Sequence, residues 1–349
     1  MKKVFLMAYA RQNLGDDLFI KMLLDRYPMH NFYMKHNHPI YLEKFKKYSN
    51  FHFIKGNDTD EELFNSNIDN YDMYIYVGGS IFMEGGKVYN LSDKFFSFIK
   101  KCKETNKPFC YLSCNYGPYF TEEYFKLSNK TFNTCTDICF RDIYSYNLFK
   151  NIPNVRYAPD LAFTYPIKYE DKIKNSIGIT VIDLDIRPKL YDKKDCYLDM
   201  MINNIENYLN CGKKVYIFSF CKYEGDEKTI NILLNKIKNT ENIVDIRFDG
   251  NIEDFMQIYT KMEYMICARF HAMILSTISK QKMFIMSYSK KIDNVVNDLE
   301  LKIPILKFED INNNTKIELN DFVSVNENNI SSIIDKAKEQ EKIIKKILI

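Results

Sequence analysis

Arg269 and His271 stand two residues apart in the run ARFHAMILS, where a short apolar stretch gives way to a helical pattern. A guanidinium beside a titratable ring at a helix start suits anion binding and proton movement, because exposed peptide N–H groups and the helix dipole favour negative charge there. A lone histidine on an apolar face is more often an ordinary core residue. Here the neighbouring arginine favours the chemical reading. Of the five histidines, the other four (His30, His36, His38, His52) fall in an N-terminal polar region, which leaves His271 as the acid/base candidate.

Five further groups stand just after apolar runs. In Asn13-Leu14-Gly15-Asp16-Asp17 the glycine permits a tight turn and the acids suit a helix N-terminus; a capped turn alone would explain the pattern equally well. Gly78-Gly79-Ser80 follows MYIYV, and paired glycines let the backbone approach a ligand or simply turn. Arg141, in CFRDIYS, is placed to meet a carboxylate or phosphate bidentately, or to form a surface or interdomain ion pair. Asp160 follows in APDLAF. Finally, Tyr288 and Lys291 lie in SYSKK after MFIM, as a further cation near the site or a solvated pair.

These groups need a scaffold that brings strand ends together. Short apolar runs alternate with longer amphipathic stretches, the pattern of an α/β protein with parallel sheets. Strands are expected at Val4 to Tyr9, Phe51 to Lys55, Met73 to Val77, Phe109 to Ser113, Ile138 to Phe140 and Val155 to Ala158, then at Ser176 to Val181, Lys214 to Phe218, Ile243 to Arg247, Tyr264 to Cys267 and Met283 to Met286. Helices are expected between them, and Ile167 to Asn175 reads as a linker. The resulting division is residues 1–166 and 176–328, two Rossmann-like doubly wound domains with a cleft between them, and a terminal helix, 329–349, packing back. Such sheets bind ligands at the C-terminal edges of their strands.

Composition narrows the function. Lys plus Arg number 49 against 46 for Asp plus Glu, so the net charge of +3 argues against a nucleic-acid binder. The nine cysteines lack a CxxC pair and read as reduced buried thiols. The spacing-of-four pairs Cys110/Cys114 and Cys135/Cys139 would suit zinc only weakly, since one falls in a strand and loop and the other in an apolar stretch. No metal or cofactor is expected. The N-terminal VFLMAYA reads as a first strand rather than a signal peptide, and no stretch of about 18 apolar residues is present. The expected location is the cytoplasm. Walker, GxGxxG, nucleophile-elbow and HExxH motifs are absent.

Taken in order, NLGDD, GGSIF, FRDIYSY, APDLAF, ARFHAMILS and SYSKK resemble the signature blocks of the polysaccharide pyruvyl transferase family, over residues from about 4 to about 300. The resemblance implies a glycosyltransferase B-type architecture and transfer of the pyruvyl group of phosphoenolpyruvate to a sugar, forming a pyruvate ketal. It implies His271 as general acid/base, with Arg141, Arg269 and Lys291 on the anionic donor and Asn13, Gly15, Asp16, Gly78, Gly79, Ser80, Asp160 and Tyr288 as further substrate contacts. The acceptor would be a cell-surface glycan or its lipid-linked precursor at the inner face of the membrane. Phe270 replaces the family's leucine, Ser289-Lys290 replaces Asp-Pro, and Leu161 replaces the proline after Asp160. A nucleotide-sugar glycosyltransferase on the same fold and a non-catalytic glycan-binding protein are the alternatives. Oligomeric state is not legible.

Overall fold

The computed structural model describes residues 1–35, 43–54, 56, 68–85 and 91–349; Lys55, His36 and His38 lie outside them. The chain divides into two compact units. The first comprises Met1–Ala10, Asp16–Tyr165 and Ile334–Ile349, and the second Arg11–Gly15 and Pro166–Ile333.

Among the described residues the first unit carries seven strands: β1 (Lys3–Ala8), β2 (Asn31–Lys35), β3 (Phe51–Ile54), β4 (Met73–Val77), β5 (Phe109–Cys114), β6 (Asp137–Phe140) and β7 (Val155–Tyr157). Their order is β3-β2-β1-β4-β5-β6-β7, and every pairing is parallel. Strands buried on both faces must be apolar throughout. Accordingly MYIYV and FCYLSC are buried at every position. The strand β2 is absent from the expected set because NFYMK buries only Phe32 and Met34 fully and its polar residues dilute the apolar run.

The second unit holds β8 (Ile173–Thr180), β9 (Lys214–Ser219), β10 (Ile243–Arg247), β11 (Met262–Cys267), β12 (Lys282–Ser287) and β13 (Ile305–Lys307), ordered β10-β9-β8-β11-β12-β13 and again parallel. The three-residue edge strand β13 is too short to signal itself. The helix Lys290–Asp298 is also missing from the expected set: it buries Ile292, Val295 and Val296 on one face and is polar elsewhere.

The two cores differ in chemistry. Aromatic rings fill the first, with Phe132 against Phe82 at 4.8 Å and against Phe149 at 4.7 Å in edge contacts. Aliphatic residues such as Ile177, Ile205, Ile217 and Leu233 dominate the second.

The chain end belongs to the first unit. Gln340, fully buried, accepts from the Ser113 amide at 2.9 Å and donates to the Ala158 carbonyl at 2.7 Å. Glu341 pairs with Arg26, and Arg156 links Asp137, at 2.7 and 2.8 Å, to the Glu339 carbonyl at 2.7 Å. Gln340→Leu strands a buried backbone donor and a buried acceptor. It is expected to destabilise the first unit by ~2–4 kcal/mol. Denaturant unfolding followed by far-UV circular dichroism measures this; the chain has no tryptophan to report it by fluorescence.

Candidate functional site

In the second unit the polar residues gather where strands end. Arg269 caps the helix Phe270–Ile278, its backbone extended at φ −112 and ψ 141, directly after β11. The side chain is buried, and a guanidinium so placed must be paired. Its Nε donates to Asp226 Oδ2 at 3.1 Å and to the Val181 carbonyl at 3.4 Å. Its Nη2 meets Asp226 Oδ1 and its Nη1 meets Glu224 Oε2. Asp226, fully buried at the start of the helix Asp226–Lys236, also accepts from the amides of Phe220 at 2.9 Å and Cys221 at 3.0 Å.

The turn Lys222–Glu224 after β9 supplies the second carboxylate. Glu224 Oε1 accepts from Asn13 Nδ2 at 3.2 Å and Oε2 from Arg187 Nη2 at 3.5 Å. Asn13 Oδ1 in turn accepts from the Gly15 amide at 3.2 Å. Asn13 is bridged antiparallel to Cys221, and the Leu14 amide donates to the Phe220 carbonyl at 3.1 Å. Gly15 lies against His271 so closely that a Cβ there would fall within the imidazole ring. Only glycine leaves the ring its place. The sequence-expected residues Asn13, Gly15, Arg269 and His271 are thus drawn together by Glu224 and Asp226, both unforeseen.

Tyr288 and Lys291 join the same group. The Arg187 guanidinium lies over the Tyr288 ring at 4.7 Å, and Lys291 Nζ lies 5.6 Å from that ring and 6.0 Å from Phe270. Burial alone would raise the Tyr288 phenol. Lys291, Arg269 and Arg187 outweigh it and hold the group below the usual tyrosine range. Burial without such cations moves Tyr208 and Tyr259 upward instead. A phenolate is favoured only where the field favours anions. Burial likewise opposes the Glu224 charge, but Arg269, Lys291 and Arg187 prevail and bring its carboxyl to about 2.

In the first unit, Ser80, Arg141 and Asp160 are joined by Asn115, a residue the sequence reading passed over. Arg141 is buried and donates from Nη1 to Asp160 Oδ2 at 2.9 Å and from Nη2 to Asn115 Oδ1 at 2.7 Å. Ser80 Oγ donates to the same Asn115 oxygen at 3.2 Å. Burial pushes the Asp160 carboxyl up, with Arg141 opposing it. Gly78 and Gly79 turn the chain after β4 with φ of +106 and +43, and the Asp16 carboxylate stands beside the pair. Among the described residues, no His, Cys, Asp and Glu cluster suits a metal ion.

Glu224, Asp226 and Arg187 carried one usable signal: KYEGDE follows β9 and IRP follows the loop after β8, the same edge at which the other candidates stand. Asn115 likewise follows β5.

Two parallel-sheet α/β units with charged groups after their strands define a glycosyltransferase B-type fold. The polysaccharide pyruvyl transferase family pattern matches residues 12–290, and the chain belongs to that family. No curated protein matches the sequence. Among solved structures, the UDP-GlcNAc 2-epimerase from Neisseria meningitidis is similar at a TM-score of 0.61 and 11% identity, covering 99% of this chain and 100% of that one. The corresponding epimerase from Methanocaldococcus jannaschii gives 0.58 and 10%, with 99% and 98% covered. MurG from Acinetobacter baumannii gives 0.50 and 10%, with 99% of each chain covered. At these identities the likeness is one of fold.

Two outcomes follow. Gly15→Ala displaces the imidazole or the segment before it, and overpacking of this kind lowers stability by ~1–3 kcal/mol, read from thermal or denaturant unfolding. Because the folded Glu224 carboxyl lies below its ordinary value of 4.5, its stabilisation is complete above that pH and lost as pH falls toward 2. Unfolding free energies of Glu224→Gln are therefore expected to fall less steeply than those of the wild type between those limits.

Proposed function

We propose that the protein transfers the pyruvyl group of phosphoenolpyruvate to a sugar of a cell-surface glycan or its lipid-linked precursor, forming a ketal and releasing phosphate. The observation that supports this reading is the convergence of Arg187, Arg269 and Lys291 on Tyr288 in a unit that also holds His271, in a chain of the pyruvyl transferase family. The donor carries both a phosphate and a carboxylate, and it needs several cations to bind. Protonation of its methylene carbon makes C2 an oxocarbenium-like electrophile. A sugar hydroxyl adds to C2 and loses its proton, the bond from C2 to the phosphate oxygen breaks so that inorganic phosphate leaves with that oxygen, and a second hydroxyl of the sugar adds to C2 and loses its proton to close the ketal.

His271 is assigned to proton delivery. Gly15 limits the positions its ring can take, and a proton donor acts only from a fixed geometry. Arg269 and Lys291 are assigned to the donor's anionic groups, and Arg141, with Ser80, Asn115 and Asp160, to substrate binding in the first unit. Among the described residues no helix is long and apolar enough to cross a membrane, and a lipid-linked acceptor would be met at the inner membrane face.

Incubation with phosphoenolpyruvate and a broad panel of sugar acceptors, followed by phosphate release and mass spectrometry of the product, tests the proposal. Ketal formation is expected, with kcat lowered ~10²–10⁴-fold in His271→Ala. Stabilisation by a UDP-sugar but not by phosphoenolpyruvate, with no phosphate released for any acceptor, would overturn it in favour of the nucleotide-sugar chemistry named for the epimerases among the structural neighbours.

A further inference from the structure

Glu224 sits at the focus of the second unit's cations. Its carboxylate meets Arg269 Nη1 and lies 3.5 Å from Arg187 Nη2, and Lys291 adds its field. Arg187 is itself fixed from two sides: Nη1 donates to the Asp183 carbonyl at 2.8 Å, and the guanidinium plane rests on Tyr288. We infer that the Glu224 carboxylate is a displaceable stand-in for the anionic group of the ligand, and that Arg187 is a third cation of that subsite alongside Arg269 and Lys291. This rests on the anionic-donor reading of the same site.

The two carboxylates on Arg269 differ in a way that assigns them different tasks. Asp226 is fully buried and holds two backbone amides besides the guanidinium; removing it would leave both amides and Arg269 Nη2 without this acceptor. It is a fixture that orients Arg269. Glu224 is 24% exposed, accepts no backbone amide, and its remaining partners are the side chains of Asn13 and Arg187. Nothing in the backbone holds it. Its side chain can swing out toward solvent provided another anion takes its place among the cations, because an uncompensated buried guanidinium is strongly unfavourable.

A phosphate makes that exchange favourable. It carries more charge than a carboxylate and has three oxygens to share among Arg269 Nη1, Arg187 Nη2 and Lys291, and guanidinium groups engage such oxygens geometrically as well as electrostatically. Until ligand arrives, Glu224 keeps the cations satisfied and in position. The cost is competition: ligand must displace it, so affinity is lower than the bare cations would give.

The test is titration calorimetry of inorganic phosphate and of phosphoenolpyruvate into the full chain, its folding checked by circular dichroism. Glu224→Gln is expected to bind inorganic phosphate ~10-fold more tightly than wild type, and Arg187→Gln ~10-fold more weakly, each a change of about 1.4 kcal/mol. Unchanged or weaker phosphate binding by folded Glu224→Gln would overturn the inference, as would unchanged binding by Arg187→Gln. Should Glu224→Gln not fold, Glu224→Asp withdraws the carboxylate from the cations, and the same tightening is expected of it, with the same contrary result overturning the idea. Phosphate affinities that move as expected while no acceptor is pyruvylated would refute the transferase reading and leave this subsite standing. Turnover of phosphoenolpyruvate with unmoved phosphate affinities would do the reverse.

Discussion

A guanidinium with almost no access to water must be matched by negative charge, and much of the second unit's polar architecture follows from how Arg269 meets that requirement. Asp226 supplies one anion, and its own burial is tolerated because two amides at the end of β9 and the guanidinium all donate to it. Glu224 supplies the other and brings Asn13 and Arg187 with it. Through Asn13 the segment before Gly15 is fixed, and Gly15 fits against His271. The charge balance of one side chain therefore sets the place of the ring assigned to proton transfer.

The first unit solves a similar problem with neutral help. Arg141 is as buried as Arg269, but it faces one carboxylate, Asp160, and one amide oxygen, Asn115. The two arginines consequently stand in different fields. Around Arg269 the cations Arg187 and Lys291 add to the positive potential, so the nearby phenol of Tyr288 titrates low despite burial. Around Arg141 the dominant effect is burial of its partner, and the Asp160 carboxyl moves up, as burial also moves the carboxyl of Asp226 beside Arg269.

Much of this was legible in the chain. Continuous apolar runs marked the central strands, since a parallel strand covered on both faces has no polar side to show, and the strand MYIYV has the very limits its pattern gave. Two strands were harder: β2, between β1 and β3, mixes polar and apolar residues, and the edge strand β13 has only three. Candidate residues were legible where a cation or glycine pair follows a strand. Glu224, Asp226 and Arg187 escaped because acids and arginines after strands are common, and only their convergence on one guanidinium separates them from solvated charges.

What the sequence determined alone is the class of structure and the candidates for its chemistry. Period and length of the apolar runs specify alternating strands and helices, and residue type specifies which side chains can hold an anion or carry a proton. Which groups meet was decided by the tertiary fold. Asn13 and Glu224 are 211 residues apart in the chain, and Arg269 and Asp226 are 43 apart; no local pattern encodes such distances. They are set by the order β10-β9-β8-β11-β12-β13, which lays the ends of β8, β9, β11 and β12 side by side and turns scattered charges into one field.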